Sequence, residues 1–165
     1  MYRVKQFFWG LLSLYKKTDD KFIAKFLNKD EIEMFKKLKI NDQHHCIRVC
    51  KEALEVNDSF ELKIDQYKLG KAALLHDIGK IKLHLNLFEK SIIVILDKLT
   101  KGYIRKFDNI KQINIYFNHP KIGYYMLKEK GYSEELLEVV KYHHNKQKLR
   151  QNEYLTIIAF CDDRN

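Results

Sequence analysis

The sequence contains very little proline and glycine, the two residues that most often break helices and form turns. One proline and six glycines occur among 165 residues. An all-β fold with many tight turns needs more of both, and disordered linkers are usually rich in them. The chain also lacks a repeat, a low-complexity tract and a Pro/Gly/Ser-rich linker. These absences predict one domain, residues 1–165, built from helices joined by short turns.

Cysteine is also scarce, with three residues at Cys46, Cys50 and Cys161. This number is too small and odd for a disulfide scaffold. A zinc finger would need a second pair of ligands at short spacing, which the sequence does not have. Cys46 and Cys50 are spaced to share one helix face, as buried thiols in a reducing compartment would. We therefore expect a cytoplasmic protein.

No hydrophobic run is long enough to cross a membrane. The uncharged stretch 6–15 is far shorter than the ~20 residues that a spanning helix needs, and segment 1–17 has no signal-peptide pattern. We expect this segment to form an amphipathic helix that packs on its own domain, with weak contact to a membrane surface as the alternative. The second apolar run, 91–99, is interrupted by Asp97 and predicts a buried helix, or alternatively a strand.

Positive charge is abundant. Lys and Arg number 31 against 22 Asp and Glu, so the formal net charge is +9. This excess favours an anionic partner, which can be nucleic acid, a membrane surface or a small phosphorylated molecule. The lysines are spread over most of the chain, and no helix-turn-helix pattern or single basic stripe is evident. Nucleic acid is therefore not expected as a partner.

Apolar periodicity predicts a helical chain with an N-terminal extension, 1–40, packed on or next to a core, 42–165. The segment 102–115 is Lys-rich and poorly periodic, which predicts an exposed loop or lid. Pro120 fits the first position of a helix, where its missing N–H costs nothing, and this would place His119 at the helix entrance. The predicted helices cover 3–16, 20–28, 30–38, 42–57, 65–77, 87–100, 120–130, 134–144 and 153–163.

Several histidines and aspartates continue the apolar stripes of these helices. His76 lies four residues after Ala72, and Asp77 lies four residues after Ala73. Burying a carboxylate without a partner is strongly unfavourable, and a metal ion would remove that cost. His143 and Asp162 repeat the pattern on two further helices. Together with His45 and His119, these residues form a set of nitrogen and oxygen ligands that suits Fe, Mn, Zn, Co, Ni or Mg.

Each of these residues also has an ordinary structural interpretation. A single histidine on an apolar face is more often a satisfied core residue than a ligand. His44 fits a partly exposed neighbour of His45, and His84 fits a structural or surface position. Asp162 and Asp163 could be simple C-terminal acids, although aspartate there is unfavourable to the helix dipole. The metal hypothesis depends on the combined pattern.

Five segments, taken together, resemble the HD superfamily of metal-dependent phosphohydrolases. The segment ALLHDIGKI (73–81) contains the His-Asp doublet after which the family is named. The other four follow the order of the family's motifs and span the chain from 42 to 165: DQHHCIRV (42–49), HPKIGYYML (119–127), KYHHNK (141–146) and AFCDDRN (159–165).

The resemblance implies an all-α bundle with a divalent metal centre between its helices. Two ions are implied, with iron or manganese foremost and Mg, Zn, Co and Ni as alternatives. Asp77 would bridge the two ions, and His144 would either join the second ion or contact a third metal or the substrate. The implied ligands are His45, His76, Asp77 and Asp162 for the first ion, and His119, His143 and His144 with Asp77 for the second.

The implied activity is hydrolysis of a phosphoester or phosphoanhydride in a nucleotide or other small phosphorylated substrate. Asp77 and Lys80 would be catalytic, and Lys80 and Lys121 would bind substrate, although both lysines also fit solvated positions. No Gly-Tyr-Pro segment follows His143 and His144, so the chain differs from HD-GYP cyclic-di-GMP phosphodiesterases. The alternative is a nucleotide-binding signalling module with little or no turnover.

Overall fold

The computed structural model describes residues 17–82, 84–149 and 152–165. These residues form eight α-helices and two short 3₁₀ helices, without a β-strand, so the predicted all-α fold is confirmed. The predicted helix 3–16 lies outside the described residues, and so does all of segment 1–17, with its predicted membrane contact, except residue 17. The α-helices are α1 (Asp20–Ile23), α2 (Lys29–Lys36), α3 (Ile40–Ser59), α4 (Gln66–Leu75), α5 (Leu87–Leu99), α6 (Lys111–Lys128), α7 (Glu134–Tyr142) and α8 (Glu153–Asp162), and the 3₁₀ helices are Ile78–Lys82 and Tyr103–Lys106.

The main core lies between α3, α4, α7 and α8. On α3 the buried side chains include Cys46, Val49, Cys50 and Ala53. These small side chains allow a close approach to α4, and the Cys50 thiol lies 3.6 Å from the carbonyl oxygen of Gly70. All three cysteines are buried and free, which confirms the predicted burial of Cys46 and Cys50.

Glu31 connects α2 to the rest of the bundle. Its carboxylate completes a capping box with Asn28 at the start of the helix. The same carboxylate is buried and accepts hydrogen bonds from the Lys71 ammonium at 2.9 Å and the Tyr132 hydroxyl at 3.0 Å. Because a buried carboxylate needs such partners, these contacts hold α2 against α4 and against the turn that precedes α7.

Residues 102–110 are mostly exposed turns, as predicted, but 111–115 belong to a helix, so the predicted loop extends too far and the predicted start of the following helix is wrong. A 3₁₀ turn occupies Tyr103–Lys106, and α6 begins at Lys111 and continues through Pro120. Proline was expected at a helix start because its ring usually interrupts a helix interior. Here Ile113 and Ile115, which precede Pro120 in the sequence, are buried. Their packing favours a helix along the segment before the proline.

The helix predicted around 91–99 is present as α5, but the prediction that it is buried is wrong. Ile93 is buried and packs with Leu85 and Ile115 in a small second cluster. Phe88 and Leu99 are 75% and 73% exposed. An apolar run alone does not show whether the rest of the protein covers it. None of the described helices has both the length and the hydropathy of a membrane span.

Two glycines let the 3₁₀ turn after α4 lie directly on the backbone of α6. A Cβ atom on Gly79 would lie 2.7 Å from the amide nitrogen of Gly123 and would collide with the carbonyl oxygen of His119. A Cβ atom on Gly123 would lie 3.1 Å from the amide nitrogen of Gly79. The two backbones therefore meet only because both residues lack a side chain. This contact brings the Asp77 loop next to His119.

We expect Gly79→Ala to destabilise the protein by about 3 kcal/mol, because rigid backbone has to move to make room. The melting temperature should fall by roughly 6–12 °C for a chain of this size. Urea and thermal denaturation measure this loss. Gly131→Asn is the matched control, since a Cβ atom there meets nothing within 4 Å and asparagine tolerates its positive φ. Equal losses in both variants would contradict the proposed backbone contact.

Candidate metal centre

The helical stripes that continue into histidine or aspartate converge at one end of the bundle. His76 directly follows α4, and His143 directly follows α7. Asp162 is the last residue of α8. His45 and His119 lie within α3 and α6. Elements far apart in the sequence therefore deliver their side chains to one place.

The first cluster contains two histidines and two aspartates. His45 Nε2 lies 2.9 Å from Asp162 Oδ1 and 3.6 Å from Asp77 Oδ2. His76 Nε2 lies 3.5 Å from Asp77 Oδ2 and 3.7 Å from Asp162 Oδ1. Ligand atoms bound to one ion at about 2.1 Å are separated by about 3.0–3.4 Å in octahedral or tetrahedral geometry. The observed spacing is close to that of four ligands of one cation.

The second cluster adjoins the first and shares Asp77 with it. Asp77 Oδ1 lies 3.1 Å from His119 Nε2 and 3.7 Å from His143 Nε2. His144 offers a ligand atom within 4.8 Å of the others. The two oxygens of Asp77 thus face different clusters, which is the arrangement of a carboxylate that bridges two ions.

Three of the histidines are oriented in the same way. In each, Nδ1 is bonded to the carbonyl oxygen three residues earlier in the chain, which can only accept a hydrogen bond. The proton is therefore on Nδ1, and Nε2 carries a lone pair whenever the ring is neutral. This orientation is typical of metal-binding histidines. The bonds run from His76 to Ala73 at 2.7 Å, from His119 to Tyr116 at 2.9 Å and from His143 to Val140 at 2.9 Å.

Four buried atoms that face the clusters have no hydrogen-bond partner among the described residues. They are Nε2 of His76, Nε2 of His119, Nε2 of His143 and Oδ1 of Asp77. The His119 nitrogen and the Asp77 oxygen face each other at 3.1 Å, although both are acceptors when the ring is neutral. Buried acceptors in this arrangement are costly unless a cation lies between them. The residues therefore fit divalent metal ions, and nitrogen with oxygen ligands is a suitable set.

The electrostatics of the cluster also indicate a need for positive charge. Burial by itself would raise the pKa of the Asp77 carboxyl, but the Lys80 ammonium and the His76 ring hold it well below its usual range. Burial by itself would lower the pKa of the His76 ring, but the neighbouring Asp77, Cys46 and Asp162 side chains together raise it well above its usual range. Burial lowers the pKa of His143 well below its usual range, which keeps this ring neutral and able to bind metal.

Pro120 contributes to the orientation of His119. In a regular helix the N–H of residue 120 would donate to the carbonyl oxygen of Tyr116, and proline has no N–H. His119 Nδ1 donates to this carbonyl oxygen instead, at 2.9 Å. The proline within α6 therefore favours the ring orientation that directs Nε2 towards Asp77.

We expect Pro120→Ala to weaken metal binding at the second cluster by about tenfold, because the restored N–H competes with His119 for the Tyr116 carbonyl. Thermal stability should be equal or higher, since a proline is removed from a helix interior. Metal competition titrations and thermal melts measure the two effects. Lys121→Ala, at the exposed next position, is the control and should bind metal like the wild type. Unchanged affinity in Pro120→Ala would contradict this role.

Two residues near the cluster were not identified from the sequence. The Cys46 thiol lies with His76 and Asp77, and burial raises its pKa so that it stays neutral. Asp42 is buried, pairs with the Lys90 ammonium at 2.6 Å and adds to the negative charge near Lys80. Cys46 fits the apolar stripe of an ordinary helix, and Asp42 fits the first turn of one. No sequence signal therefore marks either residue as part of a metal centre.

The remaining candidates lie outside the two clusters. Lys121 is exposed, and no hydrogen bond or ion pair joins it to the clusters within the described ranges. His44 is half-buried and belongs to neither cluster. His84 Nε2 bonds the carbonyl oxygen of Lys37 at 2.7 Å, which is a structural contact. The role of Lys121 in substrate binding therefore stays a prediction.

The comparisons with known proteins support the fold and identify the family. A solved HDOD domain protein with unknown function from Geobacter sulfurreducens has a similar fold, with a TM-score of 0.58 and 20% identity over 80% of this chain. The match covers 46% of that protein, so this chain spans about half of its length. No curated protein matches the sequence. The family model of the HD domain matches residues 43–164, and the chain therefore belongs to the HD domain family.

Proposed function

We propose that the protein is a metal-dependent phosphohydrolase that cleaves a phosphoester or phosphoanhydride bond in a nucleotide or another small phosphorylated substrate. The observation that carries this proposal is the convergence of buried acceptor atoms on two adjoining clusters that share Asp77. HD domains belong to a superfamily of metal-dependent hydrolases, so family membership supports the same reaction class.

The proposal assigns the first ion to His45, His76, Asp77 and Asp162. The second would be held by Asp77, His119 and His143, with His144 beside them. Bound divalent ions would polarise a phosphate oxygen and lower the pKa of a water molecule at the site. The mixture of imidazole and carboxylate ligands suits iron or manganese, and this choice of metal stays part of the proposal.

The chain's own groups would position the substrate. Lys80 forms an ion pair with Asp77 while its side chain remains 24% exposed, so its ammonium lies between the buried cluster and solvent. Nearby carboxylates raise its pKa, which keeps it positively charged at neutral pH. His144 is half-exposed, and its Nδ1 lies 3.4 Å from Asp162 Oδ2. These two residues mark the side from which a phosphate group would approach.

A small substrate fits the site better than a nucleic acid duplex. Asp77, His76 and His143 are almost fully buried, whereas His144 and Lys80 reach solvent. A recessed site of this kind can receive a terminal phosphate group but not a continuous duplex backbone. The three buried free thiols are consistent with a cytoplasmic location, which stays a prediction.

A phosphate-release assay over a panel of nucleotides and simple phosphate esters, with Mn²⁺ or Fe²⁺ added, tests the proposal. We expect metal-dependent release that is lost on chelation and restored by metal. Asp163→Asn is the control and should release phosphate like the wild type, because this residue is exposed although it directly follows the proposed ligand Asp162. Tight nucleotide binding without turnover under any metal would instead favour a nucleotide-binding signalling module.

Lys80→Met should retain both metal ions and lose about a hundredfold in kcat, because a positive charge that neutralises the substrate phosphate is removed. Elemental analysis measures the metal content and steady-state kinetics the rate. Lys82→Met, at an exposed position two residues away, should behave as the wild type. A Lys80→Met protein with normal kcat would show that Lys80 serves only as a partner of Asp77.

A further inference from the structure

The exposed large hydrophobic side chains are concentrated in one short segment of the described chain. Eight of the thirteen lie between 88 and 110. We call them the α5 face. They are Phe88, Ile92, Ile95, Leu96 and Leu99 on α5, and Tyr103, Phe107 and Ile110 in the residues that follow it. A concentration of exposed apolar side chains of this kind often marks an interaction site.

The helical part of the α5 face points away from the protein. Phe88, Ile92, Ile95 and Leu99 follow a four-three-four spacing, which places them on one side of the helix. Ile93 lies on the opposite side and packs on the small second cluster. The helix is therefore attached by one side and presents an apolar surface on the other.

The charges around the α5 face are mainly positive. Between residues 87 and 111 there are six Lys and Arg against three Asp and Glu, a difference of +3. Lys90 pairs with Asp42, and Arg105 pairs with Asp97. Further lysines border the apolar surface at 98, 101, 106 and 111. The Lys106 ammonium lies 4.6 Å from the centre of the Tyr103 ring.

The positive charge around the α5 face favours an anionic lipid surface over a second copy of the chain as its binding partner. A second copy of the chain, paired through the same face, would bring two lysine borders together, and like charges oppose such a contact. An anionic lipid surface instead offers negative headgroups for the lysines and an apolar interior for the side chains. Tyrosine and phenylalanine at the edge of the face suit the boundary between the lipid headgroups and the apolar interior of the bilayer.

We propose that the α5 face docks on an anionic phospholipid bilayer, with α5 lying parallel to the membrane surface. Its apolar side chains enter the headgroup region, and the bordering lysines contact the lipid phosphates and carboxylates. The contact is peripheral and reversible. It is independent of the proposed hydrolytic activity.

Co-sedimentation of the full chain with lipid vesicles tests the proposal. We expect strong binding to phosphatidylcholine vesicles that contain about 30% phosphatidylserine, weak binding to phosphatidylcholine alone, and loss of binding at high salt. Absence of binding to the phosphatidylserine vesicles would overturn the proposal. Equal binding to both kinds of vesicle would overturn the part that assigns the contact to anionic lipid.

Paired variants separate the α5 face from other exposed apolar side chains. Ile95→Gln/Leu99→Gln should bind the anionic vesicles about tenfold or more weakly, because two inserted side chains become polar. Both positions are exposed, so circular dichroism should show an unchanged fold. Phe60→Gln, at a 72% exposed position after α3, is the control and should bind normally. Unchanged binding of the double variant would overturn the proposal.

A second pair of variants tests the charge. Lys98→Gln/Lys101→Gln should weaken binding by about fivefold per lysine, whereas the control Lys63→Gln/Lys130→Gln should have a much smaller effect. Sedimentation velocity without vesicles tests whether a second copy of the chain binds the α5 face instead. A stable dimer that Ile95→Gln/Leu99→Gln dissociates would assign the α5 face to self-association and overturn membrane docking.

Discussion

The Asp77→Asn protein is expected to lose bound metal at both clusters and to release phosphate at least about a thousandfold more slowly than the wild type. Asp77 is the residue whose two carboxylate oxygens face different clusters in the described structure. An asparagine keeps the shape of the side chain, but it has one neutral oxygen in place of two charged ones. One substitution therefore weakens both proposed ions.

The metal content of different ligand variants distinguishes a bridging ligand from a ligand of a single ion. His45→Gln should deplete mainly the first ion and His119→Gln mainly the second, so each should leave about half of the metal content found by elemental analysis. Asp77→Asn should leave far less than either. The matched control is Asp163→Asn, which should keep full metal content. An Asp77→Asn protein that retains one ion per chain and substantial activity would exclude the bridging role.

Removal of metal from the purified protein should lower its melting temperature by about 10 °C. Without cations, Nε2 of His119, Nε2 of His143 and Oδ1 of Asp77 are buried without hydrogen-bond partners in the part of the chain that the structure describes. An ion present at about a thousand times its dissociation constant stabilises the folded state by about 4 kcal/mol. For a chain of this length, each kcal/mol corresponds to roughly 2–4 °C.

Thermal melts before and after chelation, and after metal is added back, measure this effect. Re-addition of the metal should restore the original melting temperature. The Asp77→Asn protein is the control, and its melting temperature should shift by only a few degrees on the same treatment because it binds little metal. A wild-type protein that contains metal by elemental analysis but melts at the same temperature after chelation would contradict a centre that stabilises the fold.

Local patterns predicted the helices well where burial and periodicity agree. The predicted helices 42–57 and 134–144 correspond closely to α3 and α7, because their apolar stripes face the core. The prediction failed at α6, where local preference placed a helix start at Pro120. Ile115 packs against Leu85 and Ile93, which are distant in sequence, and this packing favours a helix through the proline in a way that local preference cannot show.

The residues of the candidate site could be predicted from the sequence, but their arrangement in space could not. The residue types and their positions on helices indicated a metal centre, and the resemblance to the HD family supplied the ligand set. The sequence could not show that Asp77 directs one oxygen to each cluster, because that depends on the contact between Gly79 and Gly123. It also could not show that the Cys46 thiol lies with His76 and Asp77.

The sequence by itself determined the helical class and the family and indicated the candidate metal ligands, because periodicity and side-chain chemistry are local properties. Only the tertiary structure decided which oxygen of Asp77 faces which histidine, and that the apolar face of α5 is exposed. Both depend on how distant helices pack. An apolar helix is covered only if another element lies against it, and two carboxylate oxygens reach different clusters only if the helices meet at one place.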